Sequence, residues 1–191
     1  MGGRVQGTHL VIPLTYQIKS KEYEACLVEA QKTFEKYANN AGAHYPNSLS
    51  SHLIGRLGEH AAAQFFKRLD PHSPVEETCL NPYLDQEADL VTLYGRIEVK
   101  TWMDNTWSQY GGNIAVSQYE RLKAKADMIM WQSLHFVPSG AVVTFWGFNW
   151  VSDFMDMDPI KSVSEVLTSE VYRMDEYMMR PLIEFSRMMG V

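Results

Sequence analysis

The chain is poor in cysteine, and its two cysteines follow no ligand or bridge pattern. Among 191 residues only Cys26 and Cys79 are cysteines, and neither stands in a CxxC motif or at a zinc-type spacing from a histidine. Disulfide-rich secreted domains and structural zinc sites need closer spacing than this. We therefore expect two reduced, buried thiols.

Excess positive charge and long apolar runs are lacking as well. The chain has 17 Lys and Arg residues against 23 Asp and Glu residues, a formal net charge of −6. Proteins that coat nucleic acid by bulk attraction carry a basic excess, so the composition disfavours that class but permits a local basic surface. The first residues hold only a brief apolar run, too short for a signal peptide or a membrane span. We expect an intracellular, cytoplasmic protein without a membrane partner.

Three common catalytic signatures are also missing. The sequence has no Gly-rich phosphate loop of the P-loop or Rossmann kind and no GxSxG elbow, and its six histidines show no HxxxH or HxH spacing. These absences argue against a nucleotide cofactor, a serine hydrolase of that type and a histidine metal site.

The chain does contain enough apolar material for a substantial core. Hydrophobic residues make up 46% and aromatic residues 12%, and no internal repeat or low-complexity linker divides the sequence. A chain of this length fits one globular domain. The prediction is a single domain over 1–191, with a core at about 50–150 and helical extensions at 1–49 and 151–191.

Apolar residues at three- and four-residue spacing predict helices on both sides of the centre. They predict one helix over 20–39 and another over 51–69. A third helix is predicted to begin with Ser117 as its N-cap and with Glu120 completing a capping box. The segment 163–189 has the same spacing and is predicted to be helical, with a kink at its proline.

Alternating apolar residues predict strands between and after these helices. The predicted strands cover 75–80, 87–93, 97–102, 127–134 and 141–150. In chain order these elements predict an α/β fold, with a mixed sheet of about five strands flanked by helices in the order α-β-β-β-α-β-β.

Acidic and basic residues are concentrated at the central predicted hairpin. Asp89 lies on its first strand, a turn follows at 94–96, and Glu98 and Lys100 lie on its second strand. Because side chains alternate along a strand, Glu98 and Lys100 share one face, and the residues between them share the other.

This arrangement resembles the motif of the PD-(D/E)XK nuclease superfamily, which includes restriction endonucleases, Holliday junction resolvases and phage exonucleases. Asp89 stands at the first acidic position, and Glu98 and Lys100 stand at the ExK positions. The resemblance covers roughly 50–148 by the order of elements, and Ala88 replaces the proline that gives the motif its name. It implies a restriction endonuclease-like core and a DNA-cleaving active site.

The chemistry of phosphodiester hydrolysis gives its own reason for this grouping. Attack by water develops negative charge on the phosphoryl and leaving oxygens, and a divalent cation offsets it. Mg²⁺ prefers oxygen ligands and is commonly held by one or two carboxylates, as Asp89 and Glu98 offer. Lys100 would orient or help to deprotonate the attacking water and stabilise the developing charge.

Two further residues occupy positions that the resemblance assigns to the site. Glu59, in the helix before the strands, corresponds to an acidic residue that binds a second metal or acts through water. Gln118 corresponds to a polar residue near the water or phosphate, at a helix N-terminus that favours anions.

Each of these features also has a purely structural interpretation. Glu98 and Lys100 could form a salt bridge that keeps an exposed strand soluble, and Glu59 could be a solvent-facing carboxylate. The aromatic and polar residues of 100–112 could stack on bases or could pack half-buried in a loop. The methionines of the C-terminal segment are expected in the core, with dimerisation as the alternative.

The expected function is that of a Mg²⁺-dependent DNA endonuclease of restriction, phage or mobile-element type, with Mn²⁺ able to substitute. Cutting both strands needs two active sites, so we expect a homodimer or a partner subunit. A Holliday junction resolvase or another structure-specific nuclease is the alternative within this class. A non-catalytic DNA-binding or scaffold protein is the alternative from another class, and RNA remains open as a substrate.

Overall fold

The computed structural model describes residues 14–37, 48–80, 87–161 and 170–188, which form a mixed α/β structure. The helices of these residues are α1 (Ser20–Tyr37), α2 (Leu49–Leu69), α3 (Asp104–Tyr110), α4 (Val116–Lys125) and α5 (Ile183–Met188). The strands are β1 (Leu14–Lys19), β2 (Leu90–Thr92), β3 (Gly95–Met103), β4 (Gly112–Ala115), β5 (Met128–Val137), β6 (Gly140–Trp150), β7 (Ile160–Lys161) and β8 (Glu170–Met174). No helix among these residues is both long enough and apolar enough to cross a membrane.

The central sheet has five strands in the order β1-β6-β5-β3-β2. β3 and β5 run parallel, whereas the other neighbours run antiparallel, so the sheet is mixed. A parallel pair needs a crossover connection, which here runs from β3 through α3, β4 and α4 to β5. The predicted mixed sheet of about five strands, flanked by helices, is confirmed.

Apolar side chains pack on both faces of this sheet. On one face, α2 buries Leu57 and Ala61 in the same cluster as Ile97 and Val99 of β3. On the other face, α4 contributes Leu122 to a second cluster that includes residues of β5. β3 therefore lies with one face under α2, called the α2 face below, and with the other under α4, called the α4 face.

A glycine allows α2 to approach the sheet closely. A Cβ at Gly58 would overlap Oγ1 of Thr101 and would lie 2.8 Å from Oε1 of Gln132. Only a residue without a side chain fits between the helix backbone and these groups. This contact fixes the height of α2 above β3 and β5.

The C-terminal segment differs from its prediction. The helix predicted over 163–189 is wrong for most of its described part, because 170–174 forms β8 and only 183–188 is α-helical. β8 pairs with β4, and β7 pairs with β8, so these strands build a second, three-stranded sheet. The ladder bonds, together with burial of Val171 and Met174, outweigh the helical spacing of the apolar residues. The predicted positions 163–169 and 189 lie outside the described residues.

The N-terminal segment is not a purely helical extension. The helix predicted over 20–39 is confirmed as α1, and its last two predicted positions lie outside the described residues. Before it, β1 joins the edge of the central sheet through β6. The core therefore recruits a strand from outside the predicted range of 50–150.

Two local predictions near the hairpin are also wrong. In place of a strand over 75–80, Glu76 forms a single bridge with Val91, and a 3-10 turn follows in which Thr78 Oγ1 donates to Ala88 O. A strand there would break the side-chain bond of Thr78. The segment 104–110, predicted as loop, is α3.

The predicted capping box of the third helix is wrong as well. β4 continues directly into α4, so the helix begins at Val116 with Ala115 as its N-cap and has no side-chain capping bond. Ser117 lies inside the first turn, two positions after the N-cap, so it cannot cap the helix.

Candidate active site

The site begins just before β2: Asp89, predicted to lie on this strand, precedes its first residue, Leu90, because the strand is shorter than predicted. β2 pairs with β3 through Leu90 opposite Ile97, so the preceding position, Asp89, stands opposite Glu98. Asp89 Oδ2 accepts a hydrogen bond from the backbone N–H of Val99 at 2.8 Å. The side chain of Asp89 thus binds the β3 edge at the point where the β2 ladder stops.

Glu98 is almost fully buried and has a cation on each oxygen. Its side chain has only 6% relative exposure, Lys100 Nζ lies 2.6 Å from Oε1, and Lys125 Nζ lies 2.6 Å from Oε2. The Lys100 contact confirms that Glu98 and Lys100 share one strand face. That face is the α4 face, because Lys125 is the last residue of α4.

Lys125 is a member of this cluster that the sequence interpretation missed. Arg121, Lys123 and Lys125 stand two positions apart, and residues at that spacing point in different directions around a helix. A signal was nevertheless present: Lys125 lies three positions after Leu122, which is buried against the sheet, and residues three apart share a helix face.

The two acids have opposite electrostatic environments. Burial, together with the carboxylates of Glu98 and Glu59, raises the pKa of Asp89 to about 8. Burial also opposes ionisation of Glu98, but the ammonium groups of Lys100 and Lys125 outweigh it and hold the pKa of Glu98 below its ordinary value. Lys100 and Lys125 also favour ionised Asp89, but burial and the neighbouring carboxylates outweigh them there, whereas Glu98 has a lysine in direct contact with each oxygen.

Lys100 is held in its charged form. Burial alone would lower the pKa of Lys100, but the Glu98 and Asp89 carboxylates outweigh it and raise the pKa above its ordinary value. A protonated ammonium can donate hydrogen bonds and offset negative charge, but it cannot accept a proton.

Glu59 lies beside this cluster and is not joined to it by a direct bond among the described residues. It is on α2, where its Oε2 accepts from Arg56 Nη1 at 2.6 Å. Its charge still reaches the hairpin, because it contributes to the raised pKa values of Asp89 and Lys100. Arg56 also donates to Thr33 Oγ1 at 3.3 Å, which ties the pair to α1.

Both cysteines are close to the Glu59 side of the cluster and are not bonded to each other. Cys26 is buried, Cys79 is half-buried, and both thiols are free. Burial raises the pKa of Cys26 to about 12 and also raises that of Cys79, with Glu59 adding to both effects. The expected burial is found for Cys26 and only in part for Cys79.

Gln118 lies in the first turn of α4, at the opposite end of that helix from Lys125. Seven residues at 1.5 Å each separate the two positions by roughly 10 Å along the helix axis. The described contacts link Lys125 to Glu98 and do not link Gln118 to any of the acids. Its role near a water or phosphate stays a prediction.

The donors present suit a hard divalent cation in type. Within the described ranges no three His, Cys, Asp or Glu side chains come together as a metal-binding group, so any site would rest on Asp89 and Glu98 with water completing the shell. Burial, the main cause of the raised pKa of Asp89, and the neighbouring carboxylates both disfavour its ionised form, which a bound cation would favour. The lysine contacts of Glu98 oppose such binding and would have to be exchanged in part.

In comparisons with known proteins, no family model, no curated protein and no solved structure matches the chain. The site is therefore interpreted from its own geometry and chemistry.

Proposed function

We propose that the chain is a metal-dependent DNA endonuclease with a restriction endonuclease-like core. The observation that carries the proposal is that Asp89, just before β2, binds the backbone of β3 at Val99, beside the paired side chains of Glu98 and Lys100. The order of elements supports it: α2, the bridge at Glu76, β2, β3, α4, β5 and β6 occur in the order that the resemblance implies, with α3 and β4 inserted between β3 and α4. The predicted first strand is reduced to that bridge.

Asp89 and Glu98 would hold the cation. When bound, Mg²⁺ or Mn²⁺ would supply charge neutralisation at the phosphate and would acidify a water ligand. Asp89 contributes the carboxylate without a cation of its own, and its bond from Val99 N–H orients the side chain at the strand edge. Glu98, fixed on β3 between β5 and β2, contributes the second carboxylate from a buried position.

Lys100 would act as a charge-stabilising and water-orienting group. Its ammonium stays protonated beside the two acids, so it is suited to donate to the attacking water or to the phosphoryl oxygens. Deprotonation of the water would then fall to another acceptor, such as solvent or a substrate oxygen. A protonated Lys100 thus suits the orienting of the attacking water and not its deprotonation.

A second candidate is a DNA-binding or scaffold protein that retains this arrangement without turnover. The observation that favours it is the pairing of both Glu98 oxygens with lysines, which balances the acid without a metal. Paired buried charges of this kind also occur as purely structural networks. Under this candidate, Asp89 and Glu98 position neighbouring groups and hydrolyse nothing.

Cleavage assays with a matched acid control separate the two candidates. The purified chain is incubated with plasmid, four-way-junction, single-stranded DNA and RNA in Mg²⁺, Mn²⁺ or EDTA. We expect divalent-dependent cleavage of DNA that Glu98→Gln abolishes and that Glu120→Gln, on the exposed side of α4, leaves unchanged. Preference for the junction would indicate a structure-specific nuclease, and preference for duplex would indicate a restriction-type enzyme.

Two results would reject the enzymatic proposal. One is the absence of cleavage of every substrate in both metals, and the other is cleavage that survives Glu98→Gln. A gel-filtration measurement of mass with and without duplex tests the expected homodimer, since cutting both strands in one encounter needs two sites.

A further inference from the structure

The contact between Lys125 and Glu98 has features that the proposed metal site alone does not explain. Glu98 needs one cation for charge balance, and Lys100, two positions away on the same strand, already lies 2.6 Å from Oε1. Lys125 adds a second ammonium at 2.6 Å from Oε2. Oε2 of Glu98 thus has an ammonium of its own, in addition to the one that pairs with Oε1.

The second ammonium stands where a metal ion would need to bind. Magnesium ligands lie at 2.0–2.1 Å from the ion, so a cation on Oε2 of Glu98 and an ammonium on the same oxygen would be near neighbours. Like charges at such separations repel strongly in a partly buried site. A metal ion and Lys125 therefore compete for this oxygen.

Lys125 is also placed so that it can leave. It is the last residue of α4, and its side chain keeps 24% of its area exposed, so a rotamer change moves the ammonium to water. The C-terminal end of a helix carries partial negative charge, which favours an ammonium that stays near it. Glu98 would keep Lys100 as a partner after the change.

We propose that Lys125 is a tethered competitor for the metal: its ammonium occupies Oε2 of Glu98 in the metal-free protein and withdraws when a divalent cation binds. The inference rests on the proposed function. It assigns Lys125 a positioning role, in which its ammonium pairs with buried Glu98 until a metal ion binds. The affinity for metal is then weaker than Asp89 and Glu98 alone would give. The released ammonium then faces solvent at the site, where an anionic phosphate is a suitable new partner.

Calorimetric titration with MnCl₂ on the full chain, without DNA, tests the inference. Removal of the competing charge in Lys125→Met is expected to tighten Mn²⁺ binding by about tenfold or more. Lys125→Arg, which keeps the charge, should bind Mn²⁺ as the unsubstituted chain does. Lys123→Met is the matched control, because Lys123 pairs with Glu120 on the exposed side of the same helix, and it should change affinity less than twofold.

The direction of the change distinguishes competition from a structural role. A lysine that merely supports the fold would weaken Mn²⁺ binding when removed, and equal or weaker binding by Lys125→Met overturns the inference. Thermal unfolding of each variant confirms folding, and Lys125→Gln replaces the methionine variant if that one fails to fold. Absence of Mn²⁺ binding in every variant would reject the metal site itself. If Lys125→Met binds Mn²⁺ as the unsubstituted chain does and Glu98→Gln abolishes binding, only the role of Lys125 is rejected.

Discussion

On the α2 face, β3 presents Ile97 and Val99 to a dry apolar cluster, whereas on the α4 face the same strand presents Glu98 and Lys100. Adjacent residues of one strand are thus buried for different reasons. Apolar burial contributes roughly 25 cal/mol per Å² to folding, whereas removal of a charged group from water costs several kcal/mol per ion before pairing offsets it. An apolar pair would fill the α4 face at lower cost.

The difference predicts that substitutions on the two faces have different consequences. On the α2 face the tightest contact is the helix backbone at Gly58 against the sheet. On the α4 face the tightest contacts are ion pairs of a carboxylate with two lysines. Substitutions on the first face should therefore change stability, and substitutions on the second should change metal binding and turnover more than stability.

The largest expected effect is on turnover, through the α4 face. Lys100→Met should lower the single-turnover rate of DNA cleavage by roughly 10²–10³-fold, because a preorganised charge donor is lost. The fold should persist, because Glu98 keeps Lys125 as a partner. A rate within threefold of the unsubstituted chain would remove Lys100 from the mechanism.

The next effect is on stability, through the α2 face. Gly58→Ala should lower the free energy of unfolding by about 3 kcal/mol, because its methyl group overlaps Thr101 and overpacks the helix against the sheet. Gly55→Ala, one turn earlier, is the control: its nearest contact would be 3.8 Å away, and better helix propensity should add up to about 1 kcal/mol. Urea unfolding curves measure the free energy of unfolding of each variant. Equal values for Gly58→Ala and Gly55→Ala would show that α2 can shift away from the sheet to make room for the methyl group.

A smaller effect links the α4 face to pH. The pKa of Asp89 is raised to about 8 in the folded state, above its value in the unfolded chain. Between about pH 4 and pH 8, Asp89 is therefore protonated in the folded state and ionised in the unfolded chain. The stability from this proton is present at low pH and is lost as pH rises through that window. In metal-free buffer, Asp89→Asn should therefore raise the free energy of unfolding by about 2 kcal/mol at pH 8 and hardly change it at pH 4.

Chemical unfolding at several pH values tests this sign. The control is the addition of Mg²⁺, which should stabilise the unsubstituted chain at pH 8 and should have little effect on Asp89→Asn. A stability difference independent of pH would contradict the environment assigned to Asp89.

The smallest expected effects are on stability, at the N-termini of α2 and α4. On α2, Ser48 Oγ accepts from Ser51 N at 3.1 Å, so Ser48→Ala should cost about 1 kcal/mol. On α4, Ser117→Ala should cost less than about 0.5 kcal/mol, because that helix has no side-chain cap. A larger cost for Ser117→Ala in thermal unfolding would show that this hydroxyl has a role beyond the capping box.

Local patterns explain what could be predicted from the sequence. The hairpin of β2 and β3 follows from alternation and a tight turn, and alternation alone places Glu98 and Lys100 on one face. α1, α2, β5 and β6 likewise follow from periodicity over neighbouring residues. These features depend on short stretches of chain, so a pattern rule is enough to find them.

Features that depend on distant partners could not be predicted in this way. The spacing from Leu122 places Lys125 on the sheet-facing side of α4, but its contact with Glu98 depends on how α4 lies on the sheet. The three-residue spacing of Val171 and Met174 fits a helix face, and only pairing with β4 makes this segment a strand. β1 has its partner in β6, near the other end of the chain.

The pairing of β1 with β6 also has a consequence for the order of assembly. Leu14 lies opposite Phe145, so the first described strand emerges from the ribosome long before its partner exists. Pairings that span most of a chain form slowly because of the loop that they must close. The α1–α2 pair and the β5–β6 hairpin, whose members are neighbours in sequence, can assemble earlier. The β1 edge of the central sheet should accordingly be the last part to gain protection from amide hydrogen exchange during refolding.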